Sequence, residues 1–215
     1  MMDENTLLKI RQSAIVAVVT LESEEQAIPL GEALLAGGVD AIELTLRTEA
    51  ALGSVKKITA SLPEIFVGAG TVIQPRQVEE VQDAGANFAV APGINPRVIK
   101  AAREAGLPFA PGVCTPTDVE MALENDCKVL KFFPAKESGG LSYLRSMAAP
   151  FKHLGVQFIP LGGVNEKNAR EYYEDPLIIA LGGSWIAPPD LISAGKWNDI
   201  TSRARQAQQL INNLK

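Results

Sequence analysis

Short β-branched runs alternate with longer stretches of helical period along the whole chain, and this alternation restricts the possible folds more than any other feature. Strands are expected over residues 14–19, 40–44, 66–69, 88–91, 108–110, 129–132, 157–160 and 177–180. Helices with polar starts are expected over 23–36, 48–60, 75–84, 95–105, 116–124, 141–149, 166–173 and 198–212, with a short helix ahead of the first strand. A strand followed each time by a helix calls for parallel strands joined by right-handed crossovers. About eight such units in 215 residues are what a (β/α)8 TIM barrel requires. An open doubly wound sheet is the competitor, but it concentrates its site at one switch point, whereas here polar residues close strands around the whole chain. Gly37, Gly85 and Gly106 each end a helix just before a strand, as left-handed C-caps do. No Pro/Ser-rich linker or charge run interrupts the pattern, so residues 1–215 are read as one domain.

Composition narrows the function. Hydrophobic residues make up 47 % of the chain, enough for a sizeable core, while 20 Lys plus Arg against 25 Asp plus Glu leave a formal charge of -5. No global field gathers nucleic acid or an anionic membrane, so any bound anion must be held by a local arrangement. One histidine, His153, and two cysteines, Cys114 and Cys127, cannot build a His-rich or four-cysteine metal site, and neither a metal nor a cofactor is expected. The start, MMDENTLLKIRQS, lacks the basic-then-apolar order of a signal peptide, and no apolar run approaches the ~20 residues of a membrane helix. A cytoplasmic location with reduced cysteines is the expectation.

In a barrel the chemistry sits where strands end. Lys131, in KVLKFFPA, lies among Val129, Leu130, Phe132 and Phe133, and strand alternation aims Val129, Lys131 and Phe133 to one face. Burial disfavours the charged amine and can leave a nucleophile; the alternative is a lysine snorkelled to the rim or paired with an acid. Lys128, of opposite parity, is expected in solvent. In IELTLRT, Glu43, Thr45 and Arg47 share a parity. Glu43 reads either as a structural partner of Lys131 or as a general acid/base, and the two are compatible. Arg47 can grip a carboxylate through two parallel hydrogen bonds or be an ordinary surface arginine. GAGT places Thr71 after Gly68 and Gly70, small residues that let backbone amides approach an anion; APG at 91–93 and the repeat from Ala110 read as tight turns.

Two glycine pairs, Gly162 with Gly163 and Gly182 with Gly183, follow the seventh and eighth expected strands, and Ser184 adds a donor to the second. Barrel enzymes often hold a phosphate there, on glycine amides and a helix N-terminus. His153 falls between a helix and a strand and is given no catalytic role.

Taken together, IELTLRT, GAGTV, APG, LKFFPA, the GGV turn and GGSW are similar to motifs of the 2-dehydro-3-deoxy-6-phosphogluconate (KDPG) aldolase family, which also takes 4-hydroxy-2-oxoglutarate. The resemblance runs in order from about Ile15 to the final helix. It implies a class I, Schiff-base aldolase on a (β/α)8 barrel, usually a homotrimer, releasing pyruvate and glyceraldehyde 3-phosphate from a phosphorylated 2-oxo acid. On matching positions it implies Lys131 as the imine-forming lysine, Glu43 as acid/base, and Arg47 and Thr71 on the pyruvate carboxylate. Pro92 and Phe133 would shape the pocket, and Gly162, Gly163, Gly182, Gly183 and Ser184 would receive the phosphate. One position departs from the family, which commonly has threonine where this chain has Leu161; a lost hydroxyl there bears on which substrate is preferred. The alternatives are an aldolase for the 6-phosphogalactonate epimer or another 2-oxo-3-deoxy acid, and a non-catalytic sugar-phosphate-binding barrel.

Overall fold

A computed structural model describes residues 2–214. Helix α1 (Glu4–Ser13), capped by the Asp3 carboxylate on the Thr6 amide, precedes β1 (Ile15–Val19). Then follow α2 (Ala27–Ala36), β2 (Ala41–Thr45), α3 (Ala50–Ser61), β3 (Phe66–Gly70), α4 (Pro75–Asp83), β4 (Phe88–Val90) and α5 (Pro96–Ala105). The second half runs β5 (Phe109–Ala110), β6 (Gly112–Val113), α6 (Pro116–Glu124), β7 (Val129–Phe132), α7 (Gly140–Ala148), β8 (Gln157–Pro160), α8 (Ala169–Tyr173), β9 (Leu181–Gly183), α9 (Pro189–Ser193) and α10 (Trp197–Asn212). Pro75, Pro96 and Pro116 each open a helix, where a missing N–H costs nothing, and the Thr115 hydroxyl with the Asp118 carboxylate closes a capping box on α6.

All strand pairs are parallel, in a six-stranded sheet ordered β5-β4-β3-β2-β1-β9 and a three-stranded sheet ordered β6-β7-β8. The α/β alternation therefore holds, but two of the eight expected strands differ. The stretch expected at 108–110 becomes two short strands either side of Pro111; β5 pairs back to β4, and β6 pairs forward to β7. The apolar run 177–180 makes only one bridge, Phe158 to Ile178, and the ladder against β1 is carried by Leu181–Gly183. Strand propensity reads glycines as turn, yet Gly182 suits a strand here because the Leu161 side chain occupies the space a Cβ would need.

Alternation also divides the buried side chains. Ile15, Ala17, Val19, Ile42, Leu44, Leu130 and Phe132 pack in the large cluster with the helices. Residues of the other parity, among them Val16, Ala41, Phe88, Val90, Val129 and Ile159, form a smaller cluster on the sheets' inner side. Gly85 and Gly106 have the expected positive φ, but Gly37 does not: its φ is -90°, and the left-handed residue is Gly38 at +86°. Gly37 is needed because α10 crosses there, with the Thr201 carbonyl oxygen 2.7 Å from where a Cβ would lie. No helix among the described residues is long and apolar enough to cross a membrane.

Candidate active site

Lys131 and Glu43 project to the inner side from strands that are not neighbours, β7 and β2, and meet there. The Lys131 Nζ donates to Glu43 Oε1 at 2.7 Å, with the residues 5 % and 2 % exposed. Val129 and Phe133, two residues either side of Lys131, lie in and against the inner cluster, as alternation requires. The Phe133 ring sits 5.6 Å from the ammonium. Lys128 is exposed.

The pair stands at the wall of a cavity of about 400 Å³ at the carboxyl ends of the strands. Arg47, Thr71, Pro92, Phe133, Leu161, Gly162, Gly182, Gly183 and Ser184 line it with them. Arg47 is exposed and forms no ion pair with another described residue, so its guanidinium is free for an anion. Thr71 is held at φ +63°, a left-handed conformation uncommon for a threonine and of the kind that collects at functional sites. Gly163 is the exception among the expected residues: it does not line the cavity, its carbonyl accepts from the side chains of Asn165 and Asn168, and the Lys136 side chain covers its free face.

The small residues of GAGT have a purpose besides the expected amide approach. A Cβ on Gly68 would overlap the Phe88 ring, and one on Gly70 would overlap Glu43 Oε1. These glycines make room for neighbours across the sheet, one of them the candidate acid/base. Gly183 likewise leaves space for the Trp185 ring, and Arg203 donates to the Trp185 carbonyl at 3.1 Å. His153 is exposed on a 3-10 turn, and Cys114 and Cys127 are free thiols.

Motif reading missed Thr20, which lines the cavity beside Thr45. The signal was available, since Thr20 is the first residue past the apolar run 14–19, where strand-end residues are sought. Among the described residues no three His, Cys, Asp or Glu side chains gather as a cation site.

A primary amine bonded to a carboxylate, in a cavity with a free guanidinium, the turn glycine Gly162 and the strand-end glycines Gly182 and Gly183, can capture a carbonyl carbon covalently while anionic ends are held nearby. A family model described as KDPG and KHG aldolase matches residues 7–203. The KHG/KDPG aldolase of Escherichia coli (strain K12) is 41 % identical over 193 residues, 90 % of each chain. A solved KDPG aldolase from Legionella pneumophila, with pyruvate captured at low pH as a covalent carbinolamine intermediate, has a TM-score of 0.89 at 34 % identity, covering 96 % of this chain and 98 % of that one. The 2-keto-3-deoxy-6-phosphogluconate aldolase of Zymomonas mobilis ZM4, solved with 3-phosphoglycerate, has a TM-score of 0.86 at 36 % identity, covering 95 % and 96 %.

Proposed function

The chain belongs to the KDPG and KHG aldolase family, and from that premise we propose that Lys131 is its imine-forming lysine and Glu43 its acid/base. It is a pyruvate-dependent class I aldolase, cleaving 2-dehydro-3-deoxy-6-phosphogluconate to pyruvate and glyceraldehyde 3-phosphate, the Entner-Doudoroff cleavage, and 4-hydroxy-2-oxoglutarate to pyruvate and glyoxylate. The observation that carries the residue assignment is the buried 2.7 Å contact between Lys131 and Glu43. A buried ion pair is poor stabilisation, because desolvation offsets its Coulomb gain, so chemistry is the better account of its presence.

The reaction follows from that contact. Lys131 passes a proton to Glu43 and its amine adds to the C2 ketone of the substrate. Glu43 returns the proton to the carbinolamine hydroxyl, water leaves, and an iminium remains. The Glu43 carboxylate then takes the C4 hydroxyl proton, the C3–C4 bond breaks, and its electron pair moves into the iminium to give an enamine and a free aldehyde. Protonation at C3 and hydrolysis release pyruvate and restore Lys131. Arg47 and Thr71 grip the pyruvate carboxylate, while Gly162, Gly182, Gly183 and Ser184 receive the phosphate on local dipoles, consistent with a net charge of -5. Pro92, Phe133 and Leu161 shape the walls.

The two sheets read together as one (β/α)8 barrel comprising a single domain. Backbone hydrogen bonds from Gly112 to Gly93, from Phe158 to Leu177 and from Ile179 to Phe158 cross the places where the ladders stop and support this reading. A homotrimer goes with the family resemblance and would sediment at three times the chain mass. Two free cysteines suit a reducing, cytoplasmic compartment.

Borohydride reduction in the presence of pyruvate tests the lysine. The adduct is expected on Lys131; no adduct, or one on Lys128 or Lys136, rejects the assignment. Glu43→Gln should still bind pyruvate but lose most proton exchange at its methyl group, and full exchange would move the base elsewhere.

A further inference from the structure

With the lysine, the glutamate and the two anion grips assigned, two polar side chains on the cavity lining have no task, Thr20 and Thr45. They face each other because β1 and β2 pair in register. Val18 stands against Glu43 and Val19 against Leu44, so the next step sets Thr20 against Thr45 on the same inner side. Their hydroxyl oxygens are 2.7 Å apart, and neither has another hydrogen-bond partner among the described residues. Thr45 is 2 % exposed and Thr20 partly buried, so the pair sits at the edge of the cavity rather than free in solvent.

Two hydroxyls carry two protons and four lone pairs. The bond between them uses one proton and one lone pair, which leaves one proton and three lone pairs for a third partner. That partner must itself be able both to accept and to donate at short range, as an alcohol can. Val18, Leu161 and Ala187 give the same cavity alkyl surface, so a hydroxyl desolvated there gains from a polar partner on the wall.

Position decides which hydroxyl. Strand β1 lies between β2, whose end carries Arg47, and β9, whose end carries Gly182, Gly183 and Ser184. A substrate held by its carboxylate at the first and by its phosphate at the second passes the end of β1 with the carbons between them. The C4 hydroxyl is committed to Glu43, which leaves the C5 hydroxyl. We propose that the Thr20–Thr45 hydroxyl pair binds the C5 hydroxyl of the phosphorylated substrate, which is the C2 hydroxyl of glyceraldehyde 3-phosphate, and so selects for a hydroxylated aldehyde half. The proposal rests on the aldolase reading above. It gives the chain a polar contact in the middle of the substrate that Leu161, an alkyl side chain, does not supply.

Condensation of pyruvate with an aldehyde isolates this contact, because the phosphate can be kept while the hydroxyl is removed. The measurement is the ratio of kcat/KM for glyceraldehyde 3-phosphate to that for 3-oxopropyl phosphate, which lacks the hydroxyl. Thr20→Val should lower this ratio roughly 5- to 10-fold, the worth of one net hydrogen bond, and Thr20→Ser should keep it. Thr20→Ala gives the same expectation should the valine variant not fold. A ratio unmoved by either variant, with both aldehydes still condensed, overturns the role of the pair alone. Failure of the unaltered chain to condense either aldehyde overturns the catalytic reading and takes this proposal with it.

Discussion

Gly70 shapes the Lys131–Glu43 pair through the side chain it lacks, since a Cβ there would overlap Glu43 Oε1. Gly70→Ala should therefore push the carboxylate aside by about the width of one contact while the flexible end of Glu43 absorbs the clash. Misplacing a reacting group by ~1 Å can cost on the order of 100-fold. We expect kcat/KM to fall by that order and the urea-unfolding free energy to stay within about 1 kcal/mol of the parent; unaltered turnover would show that Glu43 needs no such placement. That Lys131, Glu43 and Arg47 face one cavity was legible in sequence, because parity along a strand requires no knowledge of neighbours. The purpose of Gly68 and Gly70 was not, because it depends on which side chain arrives from the adjacent strand: Phe88 in one case and Glu43, from the other side, in the other. Gly163 lies off the cavity lining for the same reason, its turn being closed by Asn165, Asn168 and Lys136. Cys127 gives a separate prediction. Burial pushes its thiol up from the ordinary value, so the folded state keeps this proton to higher pH than the unfolded chain does. Its contribution to stability is thus complete below the usual thiol range and declines as pH rises through that range toward the folded value. A thiol reagent at neutral pH should modify partly exposed Cys114 promptly and reach Cys127 only on unfolding; equal rates would contradict the burial.

Helix ends were readable where chemistry is local. Pro75 and Pro116 begin α4 and α6 at the expected residues, and α6 ends at the expected Glu124. The failures are tertiary. The helix expected over 166–173 is shortened to Ala169–Tyr173 because the Asn165 and Asn168 side chains hold the preceding residues in a turn. The strand expected over 177–180 yields its ladder to Leu181–Gly183, a shift that only the Leu161 side chain over Gly182 makes intelligible. Packing also overrides capping at Gly37, where α2 ends against α10 and the Thr201 carbonyl and Arg205 amide lie 2.7 and 3.0 Å from a would-be Cβ. Those atoms are backbone and cannot swing away. Gly37→Ala should destabilise by about 1 to 3 kcal/mol, the usual cost of overpacking. Gly93→Ala, with no atom within 4 Å of its Cβ position, should fall within about 0.5 kcal/mol of the parent. Equal denaturation midpoints for the two variants would show that α10 is free to move off α2.

At the scale of the molecule, the buried pair ties the two sheets together. Glu43 belongs to the six-stranded sheet and Lys131 to the three-stranded one, so their 2.7 Å contact persists only while the sheets hold their relation. The contacts that fix that relation are backbone bonds at the two places where the ladders break. Gly112 donates to Gly93 at one; Phe158 donates to Leu177 and Ile179 to Phe158 at the other. If residues 1–215 form one closed cooperative barrel, these amides are released only when everything is released. Their hydrogen exchange should then report the full unfolding free energy, ~5 to 15 kcal/mol for a domain, as the amides between β1 and β2 do. If instead the three-stranded sheet opens by itself, Ile179 and Gly112 will exchange through a cheaper local opening while β1 and β2 stay protected. The second outcome would mean that the Lys131 to Glu43 distance fluctuates independently of global stability, and the single-domain barrel would have to be given up. We expect the first, because the inner apolar cluster joins Val16, Ala41, Phe88 and Val90 of the six-stranded sheet to Val129 and Ile159 of the three-stranded one, and any partial opening would expose that surface to water.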